Sequence, residues 1–227
     1  MSRTRTLYID LKRLQTSGDS ASTIIRLMMA CNDIALANQC IKKFKEDLTQ
    51  IKKHVQRGAL MYFVRLQCGH INEALKIIQE IRDDKTLHDR MERCSQNAKD
   101  SFNQVANCLK GGTEHKKFEE YVGKIRHKTV FHYDKKLVDR ALTDRASRKE
   151  TNRSKITMGD DISLFRFELS DDIVYSIVCR QICKIPRSAD LRTEIDNIMV
   201  WASDKGKYLL DFSGEFIYRY IVEYTAI

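Results

Sequence analysis

The chain has 227 residues, with 40 Lys and Arg against 31 Asp and Glu for a formal charge of +9, and it is 42% hydrophobic and 31% charged. That length can bury a sizeable core, and the balance of apolar and charged residues argues against both an intrinsically disordered chain and a membrane-embedded one. No uninterrupted apolar run approaches bilayer thickness, and the opening Met1-Ser2-Arg3-Thr4-Arg5-Thr6 lacks the apolar stretch of a signal peptide, so a cytoplasmic protein without a membrane partner is expected.

A single proline, Pro186, and nine glycines leave few helix breakers, and the dominant apolar period is helical, so the expected fold class is all-α. Leu7 to Leu14 is ambiguous and reads as a short ordered arm. Ser17-Gly18-Asp19-Ser20 is a capping cluster, after which Ile24, Leu27, Met28, Cys31, Ile34 and Ala37 predict a long helix to about Lys45. Within it the polar pair Asn32 and Asp33 sits among apolar neighbours, a candidate to face a functional groove or to make an interhelical hydrogen bond. A second long helix is predicted from about Leu48 to Ile81, with an irregularity at Cys68-Gly69-His70 and an apolar stripe wide enough for a central position. Residues 83 to 96 read as a connection holding a short helix. A helix over Asn97 to Leu109 ends at Gly111-Gly112, and another runs from about Glu114 into Arg126. Asp134 is placed to cap a helix from Lys135 to about Arg145.

Residues 146 to 161 are polar and aperiodic and read as a loop. Ile162 to Leu169 alternates like a short strand without a partner. Ser170 with Asp171-Asp172 is expected to start a helix through Ile182, followed after Pro186 by two helices, about Ser188 to Ala202 and Gly206 to Tyr224. The aromatic residues of this end, Trp201, Phe212, Phe216, Tyr220 and Tyr224 among them, suit a core or subunit interface better than a base-stacking surface.

The seven cysteines have no framework spacing, and Cys31, Cys40, Cys68 and Cys108 fall in apolar helical patterns, so reduced core residues are expected rather than disulfides. Cys179 and Cys183 share a helical face but lack two further ligands at suitable spacing, so no metal and no cofactor is expected. Basic residues cluster at Lys42, Lys43, Lys45, Lys52, Lys53 and Arg57, and again from Lys135 to Lys155. The second group could extend a phosphate-binding surface or be a solvated helix face.

The stretch that carries chemistry is Arg126-His127-Lys128-Thr129-Val130-Phe131-His132-Tyr133-Asp134. A permanent guanidinium cation with a planar fork of donors stands a short fixed distance from an imidazole that exchanges protons near neutral pH. Two other Arg and His pairs have similar spacing, Arg65 with His70 and Arg82 with His88. Context separates them. Arg126 follows the helical run Phe118 to Ile125, and apolar Val130 and Phe131 precede His132, whereas Arg65 lies in a strongly apolar segment as a structural ion-pair partner and His88 lies in a polar stretch with the turn-like Asp83-Asp84-Lys85-Thr86.

With its Ile-Arg-His-Lys opening and Phe-His-Tyr-Asp ending, the stretch resembles the signature of the HEPN superfamily (higher eukaryotes and prokaryotes nucleotide-binding), and the chain looks like bacterial abortive-infection and toxin-type members. The resemblance covers roughly residues 20 to 145 and leaves the C-terminal helices outside it. It implies a HEPN-like helical bundle with additional C-terminal helices: a core over 1–145, the loop 146–161, and an extension over 162–227 packed on the same domain. It further implies a homodimer in which Arg126 and His132 of both subunits form one composite site. The activity implied is metal-independent endoribonuclease cleavage by 2′-hydroxyl transesterification, with a role in phage defence or as a toxin and RNA as partner. In that mechanism His132 transfers the proton and Arg126 stabilises the phosphorane. His127, Asn32 and Asp33 support them, and Lys128, Lys135, Lys136 and Arg140 bind RNA. An antitoxin or regulatory partner goes with such a role. Tyr133 departs from the subgroup in which a tyrosine two residues after the histidine is modified by a partner nucleotidyltransferase, which weakens that form of regulation. A module of another class fits the same residues: a non-catalytic helical domain for dimerisation or for nucleotide or nucleic-acid binding.

Overall fold

A computed structural model of the chain describes residues 6–16, 18–46, 53–130, 134–147, 154, 156, 158, 160 and 167–224. The protein is all-α, and no strand occurs among these residues. Its helices are α1 (Leu11–Gln15), α2 (Asp19–Glu46), α3 (Lys53–Asp83), α4 (Lys85–Glu92), α5 (Gln96–Ala106), α6 (His115–Phe118), α7 (Lys135–Ala146), α8 (Glu168–Ser176) and α9 (Leu191–Ile221). α6 continues without a break to residue 130, through two wide turns of i→i+5 hydrogen bonding at Glu119–Gly123 and Arg126–Val130. α8 continues through a third, Ile177–Ile182. Asp84, Ser95 and Asp134 cap α4, α5 and α7 by accepting from the backbone N–H of Leu87, Ala98 and Leu137.

Three boundaries differ from the sequence expectation. α3 runs unbroken through Cys68-Gly69-His70, because Gly69 is buried against the side chain of Val130, which packs where a larger residue would stand. α8 begins at Glu168, so the strand-like alternation ends in helix at Glu168 and Leu169, while residues 161–166 lie outside the described residues. The two expected C-terminal helices are one helix of 31 residues. Gly206 lowers helix propensity by about 1 kcal/mol, but Ala202, Lys205, Leu209, Phe212 and Phe216 around it are all buried on one stripe, which outweighs that loss. Most of the predicted 146–161 loop lies outside the described residues, and its four described members are exposed and non-helical.

The chain divides into two compact units. The first comprises Met1–Asp33, Glu73–His115 and Asp204–Ile227. Its core joins Ile24 and Leu27 of α2 to Ile78 and Ile81 of α3, Phe102 of α5, and Leu209, Phe212 and Phe216 of α9. The Phe102 and Phe212 rings meet edge-on at 4.9 Å. Arg26 of α2 grips Glu80 of α3 through two hydrogen bonds of 2.9 and 3.0 Å, the bidentate geometry a guanidinium is built for. Lys205 keeps its ammonium nearly buried by pairing with Glu114. The backbone N–H of Asp10 donates to the carbonyl of Tyr224 at 2.9 Å, which ties the N-terminal arm to the end of α9.

The second unit comprises Ile34–Asn72 and Lys116–Ser203. Ile34, Met61, Val64, Cys68 and Ile71 pack with Phe118, Val122 and Ile125, and with Ile173, Ile177, Val178 and Ile182. Trp201 closes this core between Phe118 and Tyr121, at 6.5 and 6.2 Å between ring centres, with the Lys117 ammonium 4.8 Å from its ring. Gln67, almost fully buried, is satisfied by the Asn38 side chain. Arg145 to Asp172 at 2.6 Å and the Gln181 amide to the Leu137 carbonyl at 2.9 Å join α7 to the α8 helix.

All seven cysteines are free thiols. Cys68 and Cys108 are buried as expected, whereas Cys31 and Cys40 are only half-buried, because α2 turns them toward its flank. Burial pushes the Cys68 and Cys183 thiols up to about 12, so both stay protonated and unreactive in the native state near neutral pH.

Two glycines test the packing in opposite directions. A Cβ at Gly112 would run into the backbone of Asn107, whereas at Gly214, exposed in the middle of α9, it would meet nothing within 4 Å. Gly112→Ala should therefore destabilise the protein by about 1–3 kcal/mol, and Gly214→Ala should stabilise it by roughly 0.5–1 kcal/mol through helix propensity. Equal shifts of the urea midpoint for the two variants would contradict this packing.

Candidate functional site

The described part of the motif is the last turn of the α6 helix, Arg126–Val130, and Asp134, the N-cap of α7. Arg126 opens the wide turn Arg126–Val130, a form of helix often met at functional positions. Its Nη1 lies 3.1 Å from Nδ1 of the exposed His127. A guanidinium has no acceptor, so in this contact Arg126 is the donor and His127 Nδ1 the acceptor. Phe131, His132 and Tyr133, and with them the placement expected for His132, lie outside the described residues.

The helix end at Thr129 and Val130 is fixed in three ways. Thr129 is buried and its hydroxyl donates to the Ile125 carbonyl at 2.7 Å. The Thr129 carbonyl, one of those a helix end leaves without an intrahelical donor, accepts from Arg65 Nη1 of α3 at 2.5 Å. One turn along α3 from Arg65, the flat surface of Gly69 receives Val130, with 3.4 Å between its ideal Cβ position and Val130 Cγ1. Beyond the undescribed residues, Lys128 Nζ meets Asp134 Oδ2 at 2.9 Å while Asp134 Oδ1 caps α7. An ion pair thus joins the end of the α6 helix to the cap of α7.

The Lys128 hydrogen bond, with the Leu137 N–H behind it, holds the Asp134 carboxyl below the usual aspartate range. Lys128 is therefore engaged with a carboxylate. Lys135, Lys136 and Arg140 are exposed on α7 and available to a polyanion. Asn32 and Asp33 are exposed on α2 and belong to the first unit, and the motif belongs to the second.

The two other spacing matches have structural occupations. Arg65 is the helix-end clamp just described, a hydrogen-bond donor to a backbone carbonyl. Arg82 binds its own helix, Nη2 to Gln79 at 2.9 Å and Nε to Asp83 at 3.3 Å, and His88 stands 3.8 Å from Glu92 one turn along α4. The part of Arg65 is what spacing alone missed. Its signal in the sequence was the pair Arg65 and Gly69, a long donor and a missing side chain on one helical face four residues apart.

Among the described residues no three His, Cys, Asp or Glu side chains are grouped to hold a metal, and no helix is long and apolar enough to cross a membrane. Comparison with protein-family models, with curated proteins and with solved structures gives no match.

The Asp134 pair gives a pH signature. A carboxyl whose folded pKa is depressed contributes stability above its unfolded value of 3.8, and this is lost as pH falls through the lower folded value. Asp134→Asn keeps the cap acceptor and removes the charge. The variant should melt below wild type at pH 7 and coincide with it well under pH 3.8. A melting difference that stays constant across this range would show that the charge pair is not what the substitution removed.

Proposed function

We propose that the protein is a metal-independent endoribonuclease of the HEPN kind. Supporting this is the placement of Arg126 at a wide helical turn whose end is clamped by Arg65 and Gly69, with its guanidinium partly open to solvent beside His127. A cation set on a helix end held this firmly is the kind of preorganised arrangement that favours charge developing in a transition state over charge in the ground state.

In the reaction, His132 takes the proton of a ribose 2′-hydroxyl. The oxygen attacks the adjacent phosphorus in line, and the bond to the 5′-oxygen breaks as that oxygen gains a proton. The products are a 2′,3′-cyclic phosphate and a 5′-hydroxyl. Arg126 offsets the additional negative charge of the pentacoordinate phosphorane, and the His127 contact fixes the orientation of the guanidinium. Lys135, Lys136 and Arg140 hold the flanking phosphates, each cation releasing condensed counterions. RNA is the partner, and phage defence or toxin activity under an antitoxin or other regulator is the setting such chemistry suits.

A composite site requires two copies of the chain, and α2 offers a surface for the second. Ile25, Met29 and Leu36 are 43%, 60% and 61% exposed and recur along one face at i, i+4 and i+11, with Asn32 between them. A polar residue within an apolar helical seam fixes register and copy number at some loss of stability. Asn32 would then act in assembly.

Purified protein should cut RNA in the presence of a chelator, and loss of cutting that a divalent ion restores would overturn the mechanism. His132→Ala should abolish cutting with helical content intact. Arg126→Ala should slow single-turnover cleavage by roughly 10²–10³-fold, and Arg82→Ala should leave it unchanged. Arg65→Ala should act first through stability, costing about 1–3 kcal/mol for the carbonyl left without its donor. If Arg82→Ala loses cleavage at unchanged stability while Arg126→Ala retains it, the wrong pair has been assigned. Met29→Glu with Leu36→Glu should shift the protein to monomer in sedimentation and remove cleavage with it. A dimer that survives this double substitution would place the interface elsewhere.

A further inference from the structure

The first unit contains a cleft of about 590 Å³ that the endoribonuclease proposal does not use, lined principally by Arg90, Arg93, Glu215, Tyr218, Arg219 and Glu223. Its volume falls within the range of about 300–1,000 Å³ typical of small-ligand sites. Three guanidiniums face two carboxylates in it, which leaves one positive charge in excess.

Both carboxylates are already committed. Glu215 accepts from the Ser95 N–H at 2.8 Å, the Ser95 hydroxyl at 2.5 Å and Arg219 Nε at 2.6 Å, and these hydrogen bonds, Ser95 foremost, hold it below the usual glutamate range. Glu223 accepts from Arg90 Nη1 at 2.7 Å. The arginines are less fully used. Arg219 is engaged through Nε and Arg90 through Nη1, and each fork carries further N–H donors. Arg90 is also set in place over the ring of the buried Tyr220, 5.0 Å from its centre. Arg93 is exposed, and no acidic partner meets it among the described residues. Beside these donors Tyr218, 50% exposed, lines the cleft.

We propose that this cleft binds a nucleoside monophosphate, its phosphate held by Arg93 with the remaining donors of Arg90 and Arg219, and its base stacked on Tyr218. A phosphate monoester suits the lining because guanidinium forks match its oxygens in pairs and one net cation remains after the internal ion pairs. An aromatic group suits it because the half-exposed tyrosine is the apolar face that stands beside those donors. The two pre-existing ion pairs keep the forks oriented before the ligand arrives, which limits the ordering that binding must impose.

Calorimetric titration of the full chain with AMP, adenosine and inorganic phosphate tests this. AMP is expected to bind saturably with a dissociation constant below about 1 mM, more tightly than either fragment. Arg93→Ala should weaken AMP and inorganic phosphate alike, by roughly tenfold or more. Tyr218→Ala should weaken AMP and leave inorganic phosphate unchanged. Both side chains are solvent-exposed, and thermal melts of the variants matching wild type establish that folding is intact. Arg126→Ala should bind AMP as wild type does, since the cleft is independent of the endoribonuclease assignment. The proposal is overturned by absence of AMP binding at millimolar concentration, by equal affinity for adenosine and AMP, by an Arg93→Ala protein that binds normally, or by loss of binding in Arg126→Ala alone.

Discussion

Three helices of 28, 31 and 31 residues, α2, α3 and α9, must each bury a continuous apolar stripe, and the rest of the structure follows from that need. Backbone hydrogen bonds alone leave a helix marginal in water, so its persistence over this length depends on what its face packs against. α3 carries the widest stripe, from Met61 and Val64 through Ile71, Leu75 and Ile78 to Ile81, and contributes to the cores of both units. The shorter helices are fitted to these stripes. Their ends are marked by side-chain caps at Asp84, Ser95 and Asp134, so that the backbone donors of the first turns are satisfied without disturbing the core.

The same demand explains why a charged side chain, Arg65, stands in the apolar segment of α3. Where the helix through Arg126 and Thr129 ends, its last carbonyls have no partner within the helix, and a carbonyl turned toward the core needs a donor. Arg65 supplies one, and Gly69 a turn later gives Val130 room to come close. The wide turn beginning at Arg126 adds a residue to the helical repeat there. A helix end built in this way holds Arg126 and Thr129 in place against α3.

How much of this could be read in the sequence depends on whether the signal was local. Helix type was legible because apolar periodicity and the near absence of breakers repeat at every turn, and Asp134 as a cap was legible because the capping atom lies three residues from the N–H it serves. Gly206 and Gly69 were misleading for one reason: a glycine reads as a break when its propensity is considered alone, and only the neighbours in space show that it is a packing position. The wide turns leave no mark in composition. For the candidate site, the Arg126 and His127 contact follows from adjacency, whereas the Arg65 clamp spans 64 positions and no spacing rule reaches it.

The excess of nine positive charges acquires a meaning only once the ion pairs are subtracted. Lys128 is bound by Asp134, Arg145 by Asp172, Arg187 by Asp144, Arg26 by Glu80 and Lys205 by Glu114, so these cations hold elements together and are weakened as receptors for a polyanion. Lys135, Lys136 and Arg140 on α7, and Arg93 at the end of α4, remain exposed without such engagement. A phosphate that approaches a paired cation must compete with a carboxylate already in contact. At an exposed one it displaces only water and loosely held counterions. Exposed cations of this kind are spread over both units, Lys85 and Lys110 of the first and Lys124 and Lys184 of the second among them, so exposure by itself marks no single phosphate site. The net charge of the chain is the balance of all 40 cations and 31 anions and reports no location.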